Sequence, residues 1–409
     1  MLVLCMLGVL VTPATLTGVA AATPTSSTLI TRPQPRAKPV WVRKIDKLVA
    51  GKNVSVQIEV GDEILYRNRP RVQRPPASNE KLLLSMALLD RFAPSTRLPV
   101  RIRATAEPTV KGTIHGKLWL IGTGNPETGV AELKELAGML QDLGVQRITG
   151  GIAASTGPFA RDHWAPGWKS YFPSTYIALP TALTFRANED GRGRHINDPE
   201  RRAATAFTKI LRRRGIQVEH APRTGTPSKA LVTLATARGP RLRAIIRRMN
   251  VASRNFSAEV LGKYLGGRAA GGPGTIAKGA RAIQRFAKAR GVTIIAHDAS
   301  GLSYANRASP LGIVSLLAHA EQRSWGTVLR STLPTGGQGT LAGRLTQVKV
   351  RAKTGSLTAV SALSGWVRLD HGGAWARFSI LDQGMSKADA VTIEDAIVRL
   401  TARRAKPRA

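Results

Sequence analysis

The sequence predicts a mixed α/β chain of the α+β type, interrupted by an inserted β-rich segment, and three observations predict it. Of 409 residues, 43% are hydrophobic, enough for a real core and for one large or two ordinary domains. Apolar residues recur at helical spacing in 78–92 and again after Pro199, whereas 54–66 and 347–381 alternate as strands do. Between them, 98–188 changes character, with short strands, one helix and many turn residues.

The elements follow in order. Met1 to Ala22 carries no charge, opens on the apolar run Leu2–Val11 and ends in Ala20-Ala21-Ala22, as a signal peptide does, although no lysine or arginine precedes the run. It is too short to span a bilayer, and no later segment is long and apolar enough, so the mature chain is expected to lack a transmembrane anchor. Residues 23–38 are rich in Pro, Ser and Thr and read as a linker. A short helix is expected at 41–49, two strands around Gly61-Asp62, and, after Pro75-Pro76, a helix from Ser78 to Phe92. The expected division is a first part at 39–97, an inserted subdomain at 98–195 and a second part at 196–409. The insert should hold a strand at 117–121 and a helix at 132–143. Strands at 347–351, 362–369 and 375–381 and a helix at 388–403 should close the chain.

Composition excludes several functions. The single cysteine, Cys5, rules out a disulfide scaffold and a cysteine-rich metal site. Seven scattered histidines include no i, i+4 pair, which argues against zinc. The net charge is +36, yet 98–195 holds 11 basic and 8 acidic residues, so nearly all the excess lies elsewhere. The densest stretch, 201–250, has 13 Lys and Arg against the lone Glu219. Such a field attracts polyanions. The export signal and the lack of zinc-finger or RNP-like motifs argue against nucleic acid and leave anionic wall polymers and lipid head groups as the available polyanions, with a merely solvated basic face as the alternative.

Three short motifs occur once each, in order: Ser78-Asn79-Glu80-Lys81, Ser253-Arg254-Asn255 and Lys353-Thr354-Gly355. Singly they read as a helix N-cap, a loop and a turn. Together they supply what acyl transfer needs: a hydroxyl, a base within reach and groups that stabilise charge. The three-residue spacing puts Lys81 one helical turn from Ser78, and the helix N-terminus favours an alkoxide. A lysine serves as base only when burial or a neighbouring cation lowers its pKa, and Lys353 is the expected cation. Its charge also suits a substrate carboxylate, with Thr354 as hydroxyl donor.

These motifs resemble those of the penicillin-binding serine acyltransferases. Their surroundings resemble the class C, low-molecular-mass D-alanyl-D-alanine carboxypeptidase/endopeptidase family. The matching stretches are 249–255 with Ala258-Glu259, Asp298-Ala299-Ser300-Gly301-Leu302-Ser303, and Leu333-Pro334-Thr335-Gly336-Gly337 through to Arg344. Gly122-Thr123-Gly124-Asn125-Pro126 and Ala165-Pro166-Gly167-Trp168 echo its inserted domain. The resemblance implies a transpeptidase/β-lactamase-like domain, with a five-stranded antiparallel sheet flanked by helices and an insertion between the first two motifs. It implies an exported enzyme, periplasmic or bound to the cell wall, that cleaves peptidoglycan peptides ending in D-Ala-D-Ala, is acylated by β-lactams and also has DD-endopeptidase activity. By analogy Ser78 is the nucleophile and Lys81 its base. Ser253 relays the proton, Asn255 holds Lys81, and Lys353 with Thr354 binds the carboxylate. Gly355 completes that motif, and the N–H groups of Ser78 and Ser356 form the oxyanion hole. The same resemblance implies that neither a metal nor an organic cofactor is needed.

Three departures stand out. Arg254 replaces the usual Asp of the second motif and is expected to point away from the chemistry. Asn125 replaces the Asp of a turn, and Ser155 stands where the family carries an aspartate that holds a side-chain amine of the stem peptide. About 175 residues separate Ser78 from Ser253, which predicts one inserted subdomain. A β-lactamase-like hydrolase and a catalytically silent basic wall-binding protein are the alternatives. Among other residues, Glu259 is expected in a salt bridge, Trp168 in a packed corner, Arg344 orienting the strand of Lys353, and Tyr304 at the cleft.

Overall fold

The computed structural model describes Leu10, residues 37–227 and residues 230–404. The expected leader, Leu10 apart, and nearly all of the linker lie outside the described residues. Helix α1 (Val40–Val49) buries Ile45 and Val49 and turns Lys44 and Lys47 outward. Strands β1 (Val54–Val60) and β2 (Glu63–Asn68) pair antiparallel across Gly61-Asp62. A tight 3₁₀ turn (Ala77–Asn79) then enters α2 (Glu80–Arg91). Ser78 therefore lies in the turn, not in the α-helix that the periodicity predicts from that residue; Ala77, at φ +45°, breaks the helical path.

A second lobe follows, made of β3 (Val100–Ala104), β4 (Thr113–Ile114), β5 (Leu118–Gly122), α3 (Val130–Asp142), β6 (Arg147–Ile148) and β7 (Ile152–Ser155). After the single turn α4 (Phe172–Thr175) it continues through α5 (Pro199–Arg213), β8 (Gln217–Val218), β9 (Arg223–Gly225) and β10 (Val232–Ala237). Its sheets run β10-β3-β5-β7-β9 and β4-β6-β8. Leu136 and Leu140 of α3 and Phe207 and Leu211 of α5 fill one core with Ile102, Ile148 and Ile152. The boundary expected at 195 is thus corrected: the lobe reaches Ala237, because β10 pairs with β3 and α5 packs into the same core. The basic run that begins at Arg201 masked this continuation, since α5 shows its apolar residues on one face only.

Helices α6 (Leu242–Ala252), α7 (Asn255–Ala270), α8 (Ile276–Lys288), α9 (Pro310–Glu321) and α10 (Gly326–Thr332) come next. Then β11 (Val350–Leu357), β12 (Val360–Arg368), β13 (Trp375–Gln383) and α11 (Lys387–Ala402) end the chain. The first sheet has the order β11-β12-β13-β1-β2 with every neighbour antiparallel. Alternation places Val54, Val56 and Ile58 with Ile45 of α1 and Ile397 of α11 on one face. On the other face Ala362, Trp366 and Leu381 meet α2 and α9. Sandwiching the sheet leaves its edge strand β11 beside the Ser78 turn. Among the described residues no helix is long and apolar enough to cross a membrane.

Candidate active site

Backbone approach so close that side chains are excluded fixes the Ser78 turn. A Cβ on Gly301, whose φ is +80°, would lie 1.9 Å from the Ala77 carbonyl oxygen, and one on Gly355 would lie 2.7 Å from that of Pro76. Asn79 Nδ2 donates to Ser364 Oγ on β12 at 2.8 Å, tying the turn to the sheet. Lys81, fully buried on α2, points its Nζ back at Ser78 Oγ at 2.9 Å and at Asn255 Oδ1, also at 2.9 Å. It also donates to the Ser300 carbonyl. These three acceptors match the three hydrogens of an ammonium; a neutral amine has two and a lone pair to offer the Ser78 hydroxyl.

The second motif forms a corner between two helices. Ser253 caps α6 in the left-handed region at φ 52°, and α7 starts at Asn255. Ser253 and Asn255 thereby face the cleft, while Arg254 points out, its side chain half exposed and 3.9 Å from Glu127. The third motif lies within β11, not in a turn. Lys353 Nζ donates to Ser253 Oγ at 2.9 Å and to the Thr354 carbonyl at 2.8 Å. Thr354 Oγ1 donates to Thr340 Oγ1 at 2.7 Å, and Ser356, the next exposed residue of the strand, also lines the cleft. All the site residues that the sequence singles out are therefore gathered at one place.

Burial lowers Lys81 to about 8, although the charges of Asp298, Glu259 and Glu80 oppose the shift. Burial, rather than the cation Lys353, is its leading cause. Lys353 is itself driven well below the usual lysine range, by burial first and then by the charges of Lys81 and Lys387. Behind Lys81, Asp298 holds the loop that supplies the Ser300 carbonyl. It accepts from Trp168 Nε1 at 2.7 Å, from Ser303 N at 2.8 Å and from Asn306 Nδ2 at 2.8 Å. Glu259 corrects its expected salt bridge: its Oε1 accepts the N–H groups of Ala299 and Ser300 at 2.9 and 2.7 Å, and burial raises its pKa to about 8. A buried carboxyl fed by two backbone donors needs no cation.

The cleft has a volume of about 580 Å³. Tyr304 lines it, and so do residues that sequence reasoning missed: Tyr171, Phe172 and Tyr176 around α4, Thr340, and the cations Arg344 and Lys387. The close recurrence of three aromatics in a turn-rich stretch was the available signal for the first group. Arg344 also bonds Glu394 and Asp395 of α11 at 2.7 and 2.8 Å, so it braces that helix against the segment before β11. Lys387, at the start of α11, donates to Ser361 Oγ at 2.7 Å. Trp168 packs a corner with Phe172 and Leu302, as expected. Ser155 is buried at the end of β7, bonded to the Gly157 carbonyl at 3.3 Å, and does not line the cleft.

The sequence profile of the D-Ala-D-Ala carboxypeptidase 3 (S13) family matches residues 44–190 and 177–404. A D-alanyl-D-alanine carboxypeptidase from Actinomadura sp. (strain R39) is 26% identical over 85% of this chain and 80% of its own. The fold is that of penicillin binding protein 4 from Haemophilus influenzae, with TM-score 0.77, 18% identity, and coverage of 89% of this chain and 99% of that one. A predatory peptidoglycan endopeptidase from Bdellovibrio bacteriovorus superposes with TM-score 0.54 and 16% identity over 86% of this chain and 92% of that one. With a profile that spans nearly everything from α1 to α11, and a hydroxyl–amine pair at the place where acyl transfer requires one, the chain belongs to the S13 family of serine D-Ala-D-Ala carboxypeptidases.

Proposed function

We propose that Ser78 is the acylated nucleophile of a carboxypeptidase acting on peptidoglycan stem peptides. The observation that carries this is the Lys81 amine held 2.9 Å from both Ser78 Oγ and Asn255 Oδ1. Lys81, neutral, takes the Ser78 proton as Oγ bonds to the carbonyl carbon of the penultimate D-alanine. The oxyanion turns to the N–H groups of Ser78 and Ser356, both at the cleft. The C–N bond then breaks, and the departing D-alanine nitrogen takes a proton from Ser253, which Lys353 replenishes across 2.9 Å. Water then attacks the ester and gives its proton through Ser253 to the now neutral Lys353, while Ser78 Oγ leaves with the proton that Lys81 holds, which releases the shortened peptide.

The charge of the cleft supports this substrate. Arg344 and Lys387 line the cleft together with Thr354, and no Asp or Glu lines it, which suits a free terminal carboxylate. An aromatic wall of Tyr171, Phe172, Tyr176 and Tyr304, packed ring on ring, offers rings and hydroxyls to the side chains of the peptide. That wall, in a cleft lined by no Asp or Glu, also suits a stem peptide whose side-chain amine is already cross-linked, hence DD-endopeptidase action beside the carboxypeptidase. Peptidoglycan places this work outside the cytoplasm, and β-lactams would acylate the same hydroxyl.

The test is intact-protein mass after brief exposure to benzylpenicillin. Wild type should gain one equivalent and Ser78→Ala none; an adduct of equal yield on the variant would show that another residue is the nucleophile.

A further inference from the structure

Three guanidiniums from three separate elements meet at the end of α10, away from the cleft. Arg247 of α6 donates to the Ser331 carbonyl at 2.7 Å, and Arg351 of β11 donates to that of Leu333 at 3.2 Å. Just before these two carbonyls in the chain, Arg330 lies 4.9 Å over the ring of Trp375. The three are near enough that the charges of Arg247 and Arg330, added to burial, lower the pKa of Arg351. Some arginines do have acids: Arg248 holds Glu127, Arg290 holds Asp90, and Arg377 holds Glu321. Among the described residues none of the trio has an ion pair. The carbonyl end of a short helix offers about half a negative charge, far below three positive ones. Repulsion held in place by hydrogen bonds and packing is the arrangement of a site that awaits an oxyanion.

We propose that Arg247, Arg330 and Arg351 form a docking site for a phosphodiester-linked polyanion of the cell wall. Guanidinium forks match the two free oxygens of a phosphodiester, and their spread over three elements suits successive units of a chain. A membrane surface fits less well, because no exposed large hydrophobic residue lies on α6, α10 or β11. Nucleic acid fits less well because the ring of Trp375 is covered by Arg330. The place also has a use. Arg351 stands two residues before Lys353 on β11, so about 7 Å of strand separates a held polymer from the substrate-binding motif.

The experiment measures binding of the full chain to synthetic poly(glycerol phosphate) across a salt series. Arg247→Gln/Arg330→Gln should weaken binding by roughly tenfold and flatten the dependence of log K on log salt by about 1.5. Lys209→Gln/Arg213→Gln, which removes the same charge from the exposed face of α5, should change affinity by less than about twofold. Release of D-alanine from a soluble peptide should stay unchanged in both, and Ser78→Ala should bind the polymer as wild type does, so that docking and catalysis are scored separately. Equal losses in the two double variants would reduce the site to general net charge and overturn the proposal. So would an undiminished affinity in Arg247→Gln/Arg330→Gln, or tighter binding to anionic vesicles or to single-stranded DNA than to the polymer at equal phosphate.

Discussion

The two lobes bury charge in opposite ways. Between Leu98 and Ala237, Glu200 is the one buried charged side chain among the described residues, and Arg161 satisfies it through two contacts of 2.7 Å. In the lobe of the antiparallel sheet, Glu80, Lys81, Glu259, Asp298, Lys353 and Asp382 are all buried. A charge out of water costs several kcal/mol unless it is paired, so the lobe of β3 to β10 is arranged for stability. The lobe of the antiparallel sheet carries a standing electrostatic cost at the place where protons must move. Substitutions in the two lobes should therefore fail in different ways.

The largest effect is expected at the amine. Lys81→Met should slow acylation by benzylpenicillin by a factor of about 10³ or more, while the melting temperature stays level or rises because an apolar chain replaces a buried charge. A lower melting temperature with the rate intact would erase the contrast between the lobes. Phe207→Ala should do the reverse. It opens a cavity in the core of the second lobe and costs about 3–5 kcal/mol in a denaturant melt, with D-alanine release at 25 °C unchanged while the chain is folded.

pH sharpens the comparison. Because burial holds Lys81 at about 8, acylation should rise about tenfold per pH unit below that value and level off above it. A plateau beginning near pH 6 would assign the base elsewhere. The smallest effect is expected at Asp382, whose carboxyl is pushed up to about 7 by burial and then by the charge of Glu394. The unfolded chain ionises this group near pH 4, so the folded state loses stability as pH rises from about 4 to about 7 and stays at the lower level above. Asp382→Asn should melt a few degrees above wild type at pH 8, and the gap should close by pH 4.

Much of the first lobe was legible because its signals are local. Alternation marked β1, β2, β12 and β13, and a three-residue spacing marked Ser78 and Lys81. What escaped is set by contact over distance. Lys353-Thr354-Gly355 reads as a turn since it contains a glycine, yet Gly355 is there so that β11 can press on the Pro76 carbonyl. Arg344 and Lys387 reach the cleft through the packing of α11, and no spacing joins them to Ser78. The depression of Lys81, expected from burial or a neighbouring cation, comes first from burial, whose size depends on all that surrounds α2. The extent of the second lobe was missed for a like reason: β10 returns to β3 across more than a hundred residues.

The strand order has a consequence for synthesis. β1 is flanked by β13, and Arg377 meets Glu59 across 318 positions, so this edge of the sheet cannot close until almost the whole chain exists. Until then β1 and β2 form a lone hairpin, marginal in water. The lobe between β3 and β10 closes its core from residues already made and is able to fold first. The nucleophile turn, pressed between Gly301 and Gly355, assembles last. A chain that stalls before β13 therefore carries Ser78 and Lys81 but no enzyme, and acylation by a β-lactam reports completion of the molecule.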